Sequence, residues 1–490
     1  MEYPLDDATR SILDLFRMVS RVPRPSGGEQ RIRARLMAWA DEHELAWRRD
    51  QAGNLVIDVP ASPGCRGASS VALQGHMDMV CEKLPHSGHD FAHDPIRPII
   101  DGEWLVADGT TLGADNGIAI ALALAVAQDS RLRHPELELL FTVNEESGLS
   151  GAAQLDDSLL RSSVLINLDS EDDRVITIGC AGGAGIVLTV PLPPTRPPAA
   201  AGAYRLSVGG LAGGHSGTDI GRGRASANPL VVRLLMHFSD AGSFRLTGIS
   251  GGTAHNAIAR DAVADFVINR PDFTARADGF TRLQHDIRRE LRDQDSAAVI
   301  QCEALDRRPA AVGGHRDSLR ALRLLNSLPH GVSALSPAGN GLVQTSSNFA
   351  LVAGRDSAIE VVASLRSSVA SELTALSERY ASLAALSGAA MRHSAGYPAW
   401  QADPDSALLA RARHVFRCVR GREPLVEVVH AGLECGLIGN RYPRMEMISI
   451  GPTIVNPHSP SERLHLPSVE HTWRFLSELL ASYCSDCGSS

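Results

Sequence analysis

The 490-residue sequence predicts an α/β protein: a layered domain with a largely parallel mixed sheet, interrupted by an inserted α+β domain. Short apolar strands alternate with helical runs over residues 71–168 and again after about 396, which is typical of a layered α/β domain. Between these stretches, alternating strands and several helices follow the glycine-rich segment 179–185 and indicate a separate α+β domain. The predicted boundaries are 1–186 and 394–490 for the layered domain and 187–393 for the insertion.

The first part of the layered domain is predicted to contain helices at 6–19 and 27–44, with Asp6, Asp7 and Ser26 as start signals. AWRRD and NLVIDVP around a QAGN turn predict a hairpin. Strand and helix then alternate through VALQ, the helical run 117–129, LELLFTV and VLINL.

The insertion is predicted to begin with strands IVLTV and YRLSV, which flank the Pro/Ala-rich stretch 191–203, interpreted as a flexible hairpin loop. Helices at 226–239 and 273–293 and strands near 244–248, 262–269, 342–353 and 358–365 follow. The layered domain resumes with a helix at 406–420, strands LVEVV and MEMISIG, and a final helix at 468–483.

Composition excludes several classes of protein. A formal net charge of −9 argues against a nucleic acid or an anionic membrane surface as the main partner. No apolar run approaches the roughly 18–20 residues that span a bilayer, and the acidic start of the chain does not resemble a secretory signal. Lys83 is the sole lysine, so the Gly-Lys-Ser/Thr of a nucleotide-binding loop is missing. We expect a soluble, cytoplasmic protein.

The eight cysteines are scattered along the chain and do not predict a disulfide framework. Cys484 and Cys487 form a lone C-x-x-C motif. We interpret it as two incidental cysteines in a solvated tail rather than a zinc half-site or a redox pair, because no second pair lies nearby.

Side chains that are able to bind metal ions or transfer protons collect where apolar strands end. In open α/β sheets, functional groups gather outside the carboxyl ends of the strands. The histidines and carboxylates at these ends, or in the loop TTLGADNG, are His76, Asp78, Asp115, Glu145, Glu146, Asp169 and His458.

Such a set suits two divalent ions with one carboxylate between them. Mixed His and carboxylate ligation fits Zn²⁺, and Mn²⁺ or Co²⁺ would accept the same ligands. His76 and Asp78 are two apart, so the carboxylate is able to orient the imidazole. Glu145 and Glu146 read either as a solvated turn or as one base and one ligand, and Asp115 taken alone reads as a helix cap.

The motifs as a group carry a family resemblance. ALQGHMDMV, HDPIRPIIDGEW, GTTLGADNGIAIA, TVNEESG, NLDSE, GCAGG, GGHSG, GGTAHNAI, HAGLECGL and SIGPTIVNPHSPSERLH resemble the bacterial aminoacyl-histidine (Xaa-His) dipeptidases. These are a branch of the di-zinc metallopeptidases that also includes aminoacylases, carnosinases and a glutamate carboxypeptidase. The resemblance runs in order from about residue 10 to residue 480.

The resemblance implies a role for each matching position. The layered domain would be catalytic and the insertion its lid. The implied metal ligands are His76 and Asp169 for one zinc, Glu146 and His458 for the other, and Asp115 as the bridge, with a cis peptide before Asn116. The implied general base is Glu145, with Asp78 orienting His76. The implied substrate contacts are His215 for the reacting carbonyl oxygen, Asn256, and Arg366 for the terminal carboxylate.

The expected function is therefore hydrolysis of Xaa-His dipeptides, with a small peptide as partner, no nucleic acid or membrane, and the homodimer that is frequent in the family. Three alternatives stay open: another hydrolase of the same clan, such as an N-acyl amino-acid deacylase or a broader dipeptidase or tripeptidase; a barrel-type amidohydrolase; and a non-catalytic metal-binding or scaffold protein. A Ser-His-Asp hydrolase is disfavoured.

Overall fold

The computed structural model describes residues 4–336 and 341–485, which form two compact units. The first unit comprises the described residues up to Cys180, Trp400–Val428 and those from Leu433 onward, and the second comprises Ala181–Ala399 and Val429–Gly432. The division falls before the predicted residue 186 because strand Gly182–Pro191 pairs with strands of the second unit.

The first unit is built on a mixed sheet, as predicted. Over the described residues this sheet has eight strands, in the spatial order Trp47–Arg49, Leu55–Val59, Leu137–Thr142, Val71–His76, Val164–Asn167, Glu446–Ser449, Val175–Cys180 and Leu425–Val429. Val71–His76 pairs in parallel with Leu137–Thr142 on one side and with Val164–Asn167 on the other. Their carboxyl ends therefore meet at one edge of the sheet.

Helices cover this sheet, and a smaller sheet completes the unit. The helices are Asp7–Ser20, Gln30–Glu42, Ala114–Gln128, Ser150–Ala153, Ala407–Arg420, Glu434–Arg441 and Leu466–Ser485. The smaller sheet has the strands Ile454–Val455, Arg463–His465, Trp104–Ala107 and Pro98–Asp101. Ala114–Gln128 is apolar around nearly its whole circumference and buried, as expected of a helix enclosed by a core.

A close approach between that helix and the central strand depends on Gly75. A Cβ on Gly75 would lie 2.4 Å from Oδ1 of Asn116 and 2.7 Å from Cβ of Ala119. The missing side chain therefore lets the start of the helix pack beside the end of the strand that carries His76.

The second unit is an α+β unit with its own core. The path of its large sheet is Val299–Ala304, Ala201–Gly209, Ala262–Asn269, Arg245–Gly251, Val343–Arg355, Ala358–Ser367, Gly182–Pro191 and Ala390–Tyr397, with Gly331–Leu335 beside Val343–Arg355. Its helices are Ala227–Ser239, Arg270–Leu291, His315–Ser327, Ala370–Ser387 and the 3₁₀ turn Ile220–Arg222. Phe238, Phe244 and Phe266 are fully buried in this core and pack ring against ring.

Three local predictions are wrong. Cys484 is a buried residue of the last helix and forms a disulfide with Cys65, 419 positions away, because that helix packs beside the loop of Cys65; Cys487 lies outside the described residues. The stretch 191–203 contains the short strand Pro194–Thr195, which pairs with Val312–Gly313. Ser26 does not cap a helix, and its hydroxyl donates to Asp78.

The described residues include no helix with both the length and the hydropathy that a membrane crossing requires.

Candidate active site

Asp115 lies between two histidines at the carboxyl edge of the first unit's sheet. Its Oδ1 is 3.1 Å from Nε2 of His76, and its Oδ2 is 3.0 Å from Nε2 of His458. Each carboxylate oxygen thus faces a different imidazole. This arrangement is the one that a carboxylate bridging two ions needs, because each ion requires one oxygen and one imidazole on its own side.

A further carboxylate stands beside each histidine. Asp169 Oδ1 lies 3.6 Å from Nε2 of His76, and Glu146 Oε2 lies 3.2 Å from Nε2 of His458. Potential ligand atoms of His76, Asp115 and Asp169 lie within 4.8 Å of one another, and so do those of Asp115, Glu146 and His458. The structure therefore brings together all five predicted ligands in two overlapping groups.

Glu145 belongs to the same cluster, since its ligand atoms lie within 4.8 Å of those of His76 and Glu146. Asp78 fixes the turn that carries both glutamates. Its Oδ1 accepts the backbone N–H of Glu145 at 3.0 Å, and its Oδ2 accepts that of Glu146 at 3.1 Å. Asp78 Oδ1 is also 3.4 Å from Nδ1 of His76, the ring nitrogen on the far side from Asp115. Asp78 thus contacts both the imidazole of His76 and the turn of Glu145 and Glu146.

The crowded carboxylates of the cluster would be stabilised by a nearby positive charge. Burial, together with the charge of neighbouring carboxylates, raises the pKa of Asp169 and of Glu145 well above the usual range. Hydrogen bonds to Asp115 and Glu146 raise the pKa of His458 to about 11. Burial opposes ionisation of Asp115, but hydrogen bonds from the two histidines outweigh it and lower its pKa. Carboxylates crowded in this way share protons or bind a cation.

The donor set fits divalent metal ions. It consists of imidazole nitrogens and carboxylate oxygens, the ligand types of Zn²⁺ in proteins. Among the described residues, Oε1 of Glu146 is buried without a hydrogen-bond partner, which is costly unless a ligand satisfies it. An ion held by Glu146, His458 and Asp115 would supply that partner.

The backbone takes uncommon conformations at the site. The peptide bond between Asp115 and Asn116 is cis, at the position that the family resemblance implied. Asn116 places its side chain beneath the site: Oδ1 accepts the backbone N–H of His76, and Nδ2 donates to the carbonyl of Leu168. His458 has φ of 59°, a left-handed conformation that costs energy in a residue other than glycine and is frequent at functional sites.

Comparison with known proteins shows the family of the chain. The model of peptidase family M20/M25/M40 matches residues 72–482, most of the chain.

The chain belongs to peptidase family M20/M25/M40.

Individual relatives agree with this assignment. The chain is 38 % identical over 468 residues to the cytosol non-specific dipeptidase of Escherichia coli (strain K12), covering 95 % of this chain and 96 % of the relative. The crystal structure of aminoacylhistidine dipeptidase from Vibrio alginolyticus superposes with a TM-score of 0.85 at 36 % identity, covering 96 % of each chain. Aminopeptidase PepT from Bacillus cereus shares the fold at 14 % identity, with a TM-score of 0.56 over 97 % of this chain and 98 % of its own. This M20 chain is therefore a peptidase, and the resemblance inferred from its motifs is confirmed.

The three predicted substrate contacts of the M20 chain lie in its second unit. His215 and Asn256 are next to each other, because strand Gly214–His215 pairs with Ala257–Ile258 and the carbonyl of Asn256 accepts the N–H of Ser216. A Cβ on Gly217 would lie 3.1 Å from the ring of His215 and 3.3 Å from Nε of Arg366, so these two side chains flank the same glycine.

The hydrogen bonds of His215 select its tautomer. The backbone N–H groups of Gly217 and Thr218 donate to Nδ1, which therefore carries a lone pair. The ring proton then sits on Nε2. His215 is thus a hydrogen-bond donor at Nε2 without being charged, which is the property that stabilising a developing negative oxygen requires.

Four residues with contacts at or near these sites escaped the sequence reasoning. Three of them lie in two motifs that were noted in the sequence, although these residues were given no role: HAGLECGL contains His430 and Glu434, and SPSERLH contains Glu462. Arg24 lies in a loop that carried no signal. Glu434 is fully buried and accepts from Gln74 and Thr142, while its Oε1 has no partner among the described residues. His430 bonds Ser346, and burial, with the charge of Arg366, lowers its pKa to about 4.

Proposed function

We propose that this M20 peptidase hydrolyses dipeptides, with a preference for Xaa-His, at a site for two divalent metal ions. The observation that carries the proposal is the carboxylate of Asp115, whose two oxygens face His76 and His458. Asp169 and Glu146 complete the two ligand groups, so one ion would be held by His76, Asp169 and Asp115, and the other by His458, Glu146 and Asp115. The aminoacylhistidine dipeptidase of Vibrio alginolyticus supports the choice of substrate.

Divalent ions in such a site lower the pKa of water and polarise the carbonyl of the scissile bond. Glu145 then serves as general base: it takes the proton of the attacking water and gives it to the leaving amine. Without metal ions, burial and neighbouring negative charge raise the pKa of Glu145. Asp78 holds the turn of Glu145 and orients the ring of His76.

In this proposal the second unit supplies recognition of the substrate. Arg366 pairs with the terminal carboxylate, because a planar guanidinium forms two parallel hydrogen bonds to it. Its Nη1 donates to the hydroxyl of Tyr397, while its buried Nε has no partner among the described residues. His215 donates from Nε2 to the carbonyl oxygen as negative charge develops there, and Asn256 is a further substrate contact.

Zinc is the proposed metal, with manganese or cobalt as alternatives for the same ligands. A cytoplasmic location is proposed because the Escherichia coli relative is named a cytosol dipeptidase. The homodimer is likewise a proposal, to be checked by sedimentation of the purified protein.

A second candidate is a broader dipeptidase, because the Escherichia coli relative is named non-specific. The deciding experiment is a panel of substrates given to the zinc-loaded protein: β-Ala-His, Gly-His and Ala-His against Gly-Leu, a tripeptide and an N-acetyl amino acid, each with and without chelator. Chelator-sensitive release of histidine from the Xaa-His members alone supports the narrow assignment. Equal cleavage of Gly-Leu favours the broad dipeptidase, and cleavage of the N-acetyl amino acid would replace the dipeptidase proposal by a deacylase.

A further inference from the structure

His76 ends a strand, Asp115 lies in the first turn of a helix, and His458 lies between two short strands. We call the stretches around these three residues the ligand loops, and two buried charged side chains that are not proposed ligands join them. Glu462 is 3 % exposed and Arg24 is 2 % exposed. A buried charge is costly unless hydrogen bonds compensate it. The partners that compensate these two charges are backbone atoms of the ligand loops.

The carboxylate of Glu462 accepts four consecutive backbone N–H groups. Oε2 accepts those of Leu112 at 2.8 Å and Gly113 at 3.0 Å, and Oε1 accepts those of Ala114 at 2.8 Å and Asp115 at 3.2 Å. Glu462 itself lies in the loop of His458, a short distance along the chain. It therefore ties the backbone of the bridging residue to the loop that supplies the imidazole on one side of it.

Arg24 makes the matching connection on the other side. Its Nη1 donates to the carbonyl oxygens of Met77 at 3.0 Å and Asp78 at 2.7 Å, and its Nη2 donates to the carbonyl of Gly113. A Cβ on Gly113 would lie 2.6 Å from Nη2 of Arg24, so this approach requires glycine at that position. Arg24 thus ties the loop that follows His76 to the loop of Asp115.

The two connections act on the same short segment from opposite sides. Glu462 holds its N–H groups and Arg24 holds one of its carbonyls, so neither end of the segment shifts independently. A bridging carboxylate must present two oxygens to two ions at once, and a rotation of its backbone would move both oxygens away from their imidazoles together. Residues that hold ligands in place typically change metal affinity about 10–100-fold when they are replaced.

We propose that Glu462 and Arg24 are positioning residues that set the metal affinity of the site, by holding Asp115 where each of its oxygens faces an imidazole. The inference rests on the proposed di-metal function and extends it to two side chains that are not among the proposed ligands. Because Asp115 would contact both ions, loss of either positioning residue is expected to weaken the binding of both ions.

The test is the affinity of the protein for Zn²⁺, measured by competition with a chromophoric chelator, for the wild type and for Glu462→Gln. An amide has one acceptor oxygen and places an NH₂ group against two backbone N–H donors. We expect Zn²⁺ affinity to fall about ten-fold or more at both sites. Arg24→Lys keeps the charge but loses the planar fork that reaches both loops, and its Zn²⁺ affinity is expected to fall as well.

The matched control is Glu138→Gln in the same unit. Glu138 is also a buried carboxylate that accepts backbone N–H groups, those of Arg161 and Ser162, and it pairs with Arg48 instead of contacting a ligand loop. We expect this variant to lower the melting temperature of the metal-free protein and to keep wild-type Zn²⁺ affinity.

Two outcomes would be adverse, and they are distinct. Wild-type Zn²⁺ affinity in both folded variants, Glu462→Gln and Arg24→Lys, would overturn the inference and leave the di-metal function standing. A wild-type protein that binds fewer than two ions would overturn the proposed function itself. If Glu462→Gln does not fold, Glu462→Asp keeps the negative charge on a shorter arm, and it must then show the loss of affinity.

Discussion

Two adjacent glutamates at the end of one strand have different proposed roles, general base for Glu145 and metal ligand for Glu146. Glu146 lies 3.2 Å from the imidazole of His458, and both glutamates belong to the group that contains His76. Asp78 accepts the backbone N–H of both, so their two backbone positions are set together. Residue type alone therefore does not distinguish the proposed ligand from the proposed base at this turn.

Replacing Glu145 by Gln should abolish turnover while the protein keeps both ions. The amide matches the glutamate in shape but does not accept a proton from water at neutral pH, so the loss falls on the chemical step. Turnover of Ala-His and zinc content by atomic absorption, measured on the same preparation, check this expectation.

The contrasting variant is His458→Ala, which removes an imidazole that faces both Asp115 and Glu146. Its zinc content should fall, since one of the two ligand groups loses its nitrogen donor. Loss of both ions in Glu145→Gln would make Glu145 a ligand and not the base. Unchanged stoichiometry in His458→Ala would remove His458 from the ligand set.

Among the helices, the last one is held to the first unit by polar contacts as well as by its apolar face. Asp173, which is mostly buried, accepts from Arg420 at the end of helix Ala407–Arg420, from Thr453, and from His471 in helix Leu466–Ser485. One carboxylate thus connects two helices and a loop. Burial opposes its ionisation, but these partners outweigh burial and lower its pKa.

Asp173→Asn should lower the free energy of unfolding by about 3–5 kcal/mol, the usual cost of removing one partner of a buried ion pair. Because the pKa is lower in the folded state, the stabilisation is present above the unfolded-state pKa, near 4, and is lost as pH falls through the folded-state value. The difference in melting temperature between wild type and variant should therefore be full at pH 7 and shrink at acidic pH.

Asp172→Asn provides the comparison. Its partner Arg174 is mostly exposed, and an exposed pair contributes about 0–1 kcal/mol. Equal destabilisation of the two variants at pH 7 would show that Asp173 does not hold the helices together.

The clustering of His76, Glu145 and Asp169 was predictable from the sequence. Each follows or ends a strand, and the carboxyl ends of neighbouring parallel strands lie at one edge of the sheet. Their separate roles came from the family resemblance. Arg24 and Glu462 were not predictable, because their partners are backbone atoms, which carry no residue-specific signal. The Cys65–Cys484 pair was missed for a related reason: only the packing of the last helix brings residues so distant in sequence together.

For the whole molecule, all predicted metal ligands belong to the first unit, and the second unit has a separate apolar core. Ions that bind only the folded site stabilise it by mass action, and their removal leaves carboxylates crowded together without a cation. A chelator should therefore lower the unfolding temperature of the first unit and leave that of the second unchanged.

Calorimetry with and without chelator measures both transitions, and limited proteolysis during heating assigns each one to its unit. A calcium-saturated sample of the same chelator is the control for effects unrelated to metal removal. An equal shift of both transitions, or no shift in either, would contradict this expectation.

The position of strand Glu446–Ser449 has a consequence for how the protein is made. That strand lies between Val164–Asn167 and Val175–Cys180, which precede the second unit in the chain, whereas the strand itself follows it. A ribosome thus completes the whole second unit while the sheet of the first still has an open gap in its middle. The nascent chain must keep two unpaired strand edges apart from other chains during this interval. The proposed ligand His458 also follows the second unit in the chain, so the proposed metal site is complete only after translation has passed this residue.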